Sequence, residues 1–246
     1  MCGIVGIYGD QKHEWINLMN STQIHRGPDE AGIYRDPTLP LSMAMRRLSI
    51  MDHAGGQQPM ISRDHRFILL FNGEIFNASE LRYQLEQTGE KFTSSNSDTE
   101  ILFRLLQLEG LEALPMLNGM FAFSFYDTLS RRLICARDRF GIKPLYYTYQ
   151  SQRFAFASEL KSILALPYIS RSINQQSLIH YLGLQYITGP DSILEGVMRL
   201  PPAHYLIFDL NTHHLEISAW WSIKYTPDYS IPQNEWPERI ITTLDK

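Results

Sequence analysis

The 246-residue chain has two cysteines, Cys2 and Cys135, too few for a disulfide framework. Cys135, in the apolar run Leu133-Ile134-Cys135-Ala136, reads as a small buried hydrophobe, and so sparse a thiol content fits a reducing cytoplasm. No run of about 20 apolar residues could cross a bilayer as a helix. The opening residues also lack the basic segment and apolar core of a signal peptide, since Gly9-Asp10-Gln11-Lys12 follows closely on Ile4-Val5. The expectation is a chain without leader, lipid anchor or membrane partner. Charge of one sign is missing too: 22 Lys+Arg against 26 Asp+Glu leave a formal net charge of −4 with no long run of either sign, which argues against nucleic acid as a partner. Gly55-Gly56 is not followed by the Lys-Ser/Thr of a phosphate loop. The histidines lack metal-ligand spacing, so no metal and no cofactor are expected for these residues.

What remains is 44% hydrophobic composition, enough for one large domain or one domain plus an appendage. Residues 2–8 read as a strand and 15–24 as a helix ended by the His25-Arg26-Gly27-Pro28-Asp29 turn. Residues 41–48 and 66–71 read as strands, each carrying or followed by polar residues that can face a cleft: Arg47 and Ser49, then Asn72-Gly73-Glu74. Helical spacing covers 78–87 and 98–108, the second opened by Ser97-Asp98-Thr99-Glu100, which matches a capping box. Residues 120–126, 133–137, 145–149 and 153–157 read as an antiparallel meander. Helices follow at about 159–164 and 175–184, then a strand at 203–208. Beyond 210, Trp220-Trp221 and the prolines at 227, 232 and 237 suggest a linker, with a helix from Glu238. Strands segregated from helix pairs argue for an α+β fold of packed antiparallel sheets covered by helices. The expected division is a domain over 1–210 and a linker with the first helix of a further domain over 211–246.

Cys2 is the candidate nucleophile. Removal of Met1, which a small second residue favours, would leave a cysteine with a free α-amine, so that one residue supplies both a thiol and a base of ordinary pKa about 7.7 to 8.0. Taken alone, Met-Cys reads more readily as an accident of the start site.

The blocks Met1-Cys2-Gly3-Ile4, His25-Arg26-Gly27-Pro28-Asp29, Arg47-Leu48-Ser49-Ile50, Asn72-Gly73-Glu74, Ser97-Asp98-Thr99-Glu100, Gly119-Met120-Phe121-Ala122-Phe123, Arg137-Asp138-Arg139-Phe140-Gly141-Ile142-Lys143-Pro144, Ala157-Ser158-Glu159-Leu160-Lys161 and Leu200-Pro201-Pro202-Ala203-His204-Tyr205 occur in one order. Together they resemble the class II glutamine amidotransferase domain of glutamine-hydrolysing asparagine synthetases. The resemblance implies the N-terminal nucleophile (Ntn) fold, a four-layer αββα sandwich, and glutamine as substrate. It implies Cys2 as nucleophile, and Asn72 with the Gly73 N–H as the oxyanion hole; the Asn72-Gly73 dipeptide alone reads as a hairpin turn. Arg47 and Asp98 would bind the α-carboxylate and α-ammonium of glutamine, Glu74 would line the pocket, and Leu48 and Ile50 would offer carbonyls or apolar contacts. Arg26 would position the loop near Cys2 or else be a turn residue tied to Asp29. The segments 137–147 and 158–161 show no chemistry of their own and read as a turn, an N-cap and support for an interface with a second domain. That missing C-terminal synthetase domain would bind ATP and Mg and amidate aspartate; relatives with the same glutaminase half amidate sugars, peptides or other carboxylates. A homodimer is compatible. The competing readings are a non-catalytic glutamine-sensing or scaffold domain and an autoproteolytic hydrolase of another amide.

Overall fold

A computed structural model describes residues 1–10, 13–49 and 56–245. Its strands in chain order are β1 (Gly3–Tyr8), β2 (Glu30–Arg35), β3 (Leu41–Arg47), β4 (Met60–Ile61), β5 (Phe67–Ile75), β6 (Gly119–Asp127), β7 (Arg132–Arg137), β8 (Tyr146–Gln150), β9 (Arg153–Ala157), β10 (Met198–Arg199), β11 (His204–Asp209) and β12 (His214–Ala219). The helices are α1 (His13–Ser21), α2 (Ala78–Gln87), α3 (Asp98–Glu109), α4 (Leu160–Leu164), α5 (Gln175–Leu184) and α6 (Trp236–Leu244). Two six-stranded antiparallel sheets form, ordered β10-β8-β9-β1-β3-β2 and β12-β11-β7-β6-β5-β4.

Period-two side-chain alternation explains how the sheets stack. Along β6, Ala122 and Tyr126 point to the other sheet and join its Ile4, Met43 and Phe154, together with Phe208 of β11, while Phe121, Phe123 and Phe125 point outward beneath α2 and α3. Along β1, Ile4 and Tyr8 face inward, and Val5 and Ile7 face outward to Ile16 and Met19 of α1 and Ile163 of α4. Both faces of these central strands are therefore covered, each fully buried large side chain contributing about 1.5–3 kcal/mol. The result is helix, sheet, sheet, helix, the αββα order expected.

Several sequence expectations change. The supposed meander is two hairpins: β6 pairs with β7 in one sheet and β8 with β9 in the other. The edge strand β2, absent from the sequence reading, pairs along β3. The capping box is half formed. Ser97 Oγ accepts from Glu100 N at 3.3 Å, but the Glu100 carboxylate turns away to accept from Thr93 N and Ser94 N, both at 2.8 Å. Ser158 is no helix cap, because its Oγ accepts from Ile4 N at 3.0 Å and so pins the start of β1.

The boundary at 210 also moves. β12 pairs with β11 along its length, Tyr8 Oη lies 2.9 Å from His213 Nε2, and Trp220 Nε1 donates to Arg137 O at 3.1 Å. Residues 211–220 thus complete the second sheet, and the segment free of it starts later. No helix among the described residues is long and apolar enough to cross a membrane.

Candidate active site

Cys2 stands just before β1, at the end of the sandwich where β1 and β3 of one sheet meet β5 of the other. Its Sγ lies 3.9 Å from Leu48 O and opens on a cavity of about 260 Å³. That is slightly under the usual range for drug-sized ligands, about 300–1,000 Å³, and suits an amino acid. The cavity is lined by Cys2, Arg47, Leu48, Asn72, Gly73, Glu74 and Asp98, so seven sequence candidates converge there. Ile50 lies outside the described residues. Arg26 stands behind Cys2 instead of in the cavity wall.

Asn72, Gly73 and Glu74 do not form the turn that Asn-Gly favours. They continue β5 and pair with Ala122, Phe121 and Met120 of β6. A Cβ on Gly73 would fall 2.3 Å from Met120 O, so the strand can pass here only without a side chain. Asn72 is buried, and its Nδ2 has no hydrogen-bond partner among the described residues. A buried donor left unsatisfied costs about 1–3 kcal/mol, which folding alone gives no reason to retain.

The charged pair is set by both sheets. Arg47, at the end of β3 and only 4% exposed, faces its cross-strand neighbour Glu30, with Nη1 to Oε2 at 3.1 Å. Asp98 opens α3 and accepts from Ile75 N at 3.1 Å. Burial first, then the Glu74 charge, raise the Asp98 carboxyl above the ordinary range, against the lowering pull of hydrogen bonds from Ile75 and Thr99.

Arg26 is reached through Gly27, where a Cβ would sit 2.3 Å from the Arg46 carbonyl carbon, so glycine lets the turn press onto β3. Arg26 Nε donates to Cys2 O at 2.9 Å and Nη1 to Glu159 Oε1 at 3.0 Å. Its anionic partner is Glu159, and Asp29 instead accepts from Ser49 N at 2.8 Å. Glu159 also meets His25 and Lys161. Although burial opposes it, hydrogen bonds from His25, Arg26 and Lys161 hold the Glu159 carboxyl below the ordinary range. The sequence reading missed Glu159, and also Lys143, which lines the cavity; both stand in charged blocks that it read as a turn, an N-cap and interface support.

The Arg137–Lys143 segment has a structural office. The buried Asp138 carboxylate accepts from the backbone N–H groups of Phe121, Phe140, Ile142 and Lys143 at 2.9–3.1 Å. Arg137 donates to the carbonyls of Lys143, Leu200 and Gly141 at 2.6–2.7 Å.

Residues 1–221 match the glutamine amidotransferase domain family, and the chain belongs to that family. Within it, the chain is 37% identical over 209 residues to asparagine synthetase (glutamine-hydrolyzing) 1 of Bacillus subtilis, covering 82% of this chain and 32% of that protein. It is 34% identical over 227 residues to Amidase chry2 of Gibberella zeae, covering 89% and 32% respectively. The chain thus spans about a third of the length of these relatives and is homologous to the glutaminase half of the asparagine synthetases. Among solved structures, glutamine phosphoribosylpyrophosphate amidotransferase from B. subtilis superimposes with a TM-score of 0.64 at 21% identity, covering 89% of this chain and 49% of that one. That likeness establishes the Ntn-type sandwich.

Proposed function

We propose that this chain is the glutaminase unit of a glutamine-dependent synthetase, acting through Cys2. The observation that carries the reading is the convergence on one cavity of a thiol, an unpartnered buried amide donor, a buried arginine and a carboxylate. With Met1 removed, the Cys2 α-amine takes the thiol proton as Sγ attacks the side-chain amide carbon of glutamine. The oxygen that becomes negative is met by Asn72 Nδ2 and the Gly73 N–H, donors fixed before the reaction. The amine returns the proton to the amide nitrogen, which leaves as ammonia, and water cleaves the thioester to give glutamate and free Cys2. Arg47 binds the α-carboxylate and Asp98 the α-ammonium, the planar guanidinium suiting a carboxylate. Glu74 lines the amino-acid end, the Leu48 carbonyl faces the thiol, and Arg26, braced by Glu159, holds the Cys2 carbonyl.

The ammonia acceptor in this reading is aspartate, activated with ATP and Mg by a synthetase half joined in cis or in trans, in a reducing cytoplasm. The described residues offer ATP no glycine-rich cradle, so no step here passes through it. The likeness to a relative named an amidase favours a second reading of the acceptor only, in which a different carboxylate is amidated.

The test is the mass of the purified protein before and after an electrophilic glutamine analogue. Loss of Met1 and a single adduct on Cys2, blocked by excess glutamine, is the expected result. A retained Met1, or a processed Cys2 that stays unlabelled, overturns the proposal.

A further inference from the structure

Lys143 lies outside every role assigned above, yet its side chain lines the Cys2 cavity and the residue is only 7% exposed. Its backbone is held at both ends, N–H to Asp138 Oδ2 at 3.0 Å and C=O from Arg137 Nε at 2.7 Å, so the chain has little freedom to withdraw it. Among the described residues Nζ has no hydrogen bond or ion pair. The nearest anion in sequence, Asp138, is spent on four backbone amides. The side chain opens on the cavity with no carboxylate paired to it, and nothing in the packing of the loop requires an ammonium there, since an apolar stem would fill the same space.

We propose that Lys143 is a positioning residue of the glutaminase site: its fixed ammonium disfavours a second positive charge on the α-amine of the mature chain and keeps that amine a proton acceptor near neutral pH. The proposal rests on the reading of Cys2 as an N-terminal nucleophile. The charged groups around the amine are Arg26 and Asp29 from the turn after α1, Arg47 from β3, Glu74 from β5 and Asp98 from α3. Arg47 is balanced by Glu30 and Arg26 by Glu159, whereas Lys143 has no such balance. At Met1, the amine of the unprocessed chain is already pulled below its ordinary pKa, by burial first and then by Arg26 and Lys143, with Cys2 and Asp29 opposing. Processing moves the amine one residue along, onto Cys2 itself.

The experiment compares kcat/KM for glutamine hydrolysis across pH in the processed wild type, Lys143→Met and Lys143→Arg, with Cys2→Ala as the baseline. In Lys143→Met the acid limb is expected to move up by roughly half to one pH unit, the size of a single charge effect in a partly solvated site. Activity lost at pH 7 returns at alkaline pH, and Lys143→Arg keeps the wild-type limb. A uniform loss at every pH, or a raised KM with an unmoved limb, overturns the proposal in favour of a structural or a substrate-binding role. Should Lys143→Met fold poorly by circular dichroism, Lys143→Gln replaces it. A second measurement does not depend on turnover. In the processed Cys2→Ala chain, reductive ¹³C-methylation of the amines, which preserves lysine charge, lets the α-amine be titrated by NMR with and without Lys143→Met. The same upward shift supports the proposal and an unmoved midpoint overturns it, even if the glutaminase reading itself fails for want of Cys2-dependent turnover.

Discussion

The Asn72–Glu74 stretch of β5 and the Arg137–Lys143 loop after β7 are both polar insertions in apolar sheet, and they treat hydrogen bonds in opposite ways. In the loop, the Asp138 carboxylate and the Arg137 guanidinium are used up by backbone groups of neighbouring segments. In β5, the Asn72 amide donor is buried and left without a partner, and Gly73 lets the strand lie against Met120 and Phe121 of β6 without a clash. Satisfied polar groups hold the fold, and unsatisfied ones aimed at a cavity are available to a substrate. Lys143 belongs to both regions, its backbone to the first and its ammonium to the second.

The sharpest way to break this contrast is Asp138→Ala, which strands four backbone N–H groups. It should cost about 3–5 kcal/mol of stability, as breaking a buried charge network does, read as a fall in the urea midpoint. Asn72→Ala should do the reverse: glutaminase kcat falls by about 10²–10³-fold, as when an oxyanion donor is removed, while the urea midpoint stays near that of the wild type. An unstable Asn72→Ala protein would place Asn72 on the structural side.

Asp98→Asn comes next, with KM for glutamine rising about 10–100-fold, the worth of one charge-assisted hydrogen bond of roughly 1.5–3 kcal/mol. Because the folded Asp98 carboxyl is raised above its unfolded value, the stability it contributes is full below the unfolded value and is lost as pH rises through the raised folded one. Asp98→Asn should therefore leave stability at pH 7 unchanged or slightly higher. By the same sign, acidification neutralises Asp98 earlier than an ordinary aspartate, so KM in the wild type should climb on acidification before ordinary carboxylates titrate, while Asp98→Asn stays flat. The smallest effect is expected for Glu159→Gln, which leaves the Arg26 bond to Cys2 O in place but removes the charge that braces it. A loss of a few-fold in kcat, about 1 kcal/mol, with KM unchanged would assign Glu159 to positioning.

Much of the fold was legible because central strands such as β1 and β6 carry strong apolar periodicity and α3 has a true Ser97 cap. The edge strand β2 was not, since its apolar Ala31 and Ile33 lie on its exposed face and its pairing is supplied by β3. Nor was β12, which runs into the Trp220-Trp221 pair that suggested a linker until Trp220 met Arg137.

The sequence by itself determined the chemistry available: a cysteine in second place, an arginine and an aspartate suited to the two ends of an amino acid, and an Asn-Gly pair able to donate to an oxyanion. Local patterns settle residue types and periods, because these depend on neighbours a few positions away. Only the tertiary structure decided that Asn72-Gly73 is strand instead of turn, that Arg26 answers to Glu159 instead of Asp29, and that Lys143 reaches the cavity of Cys2. Those outcomes depend on which distant backbone group or charge is near enough to satisfy a buried polar atom, and that is decided when the two sheets pack.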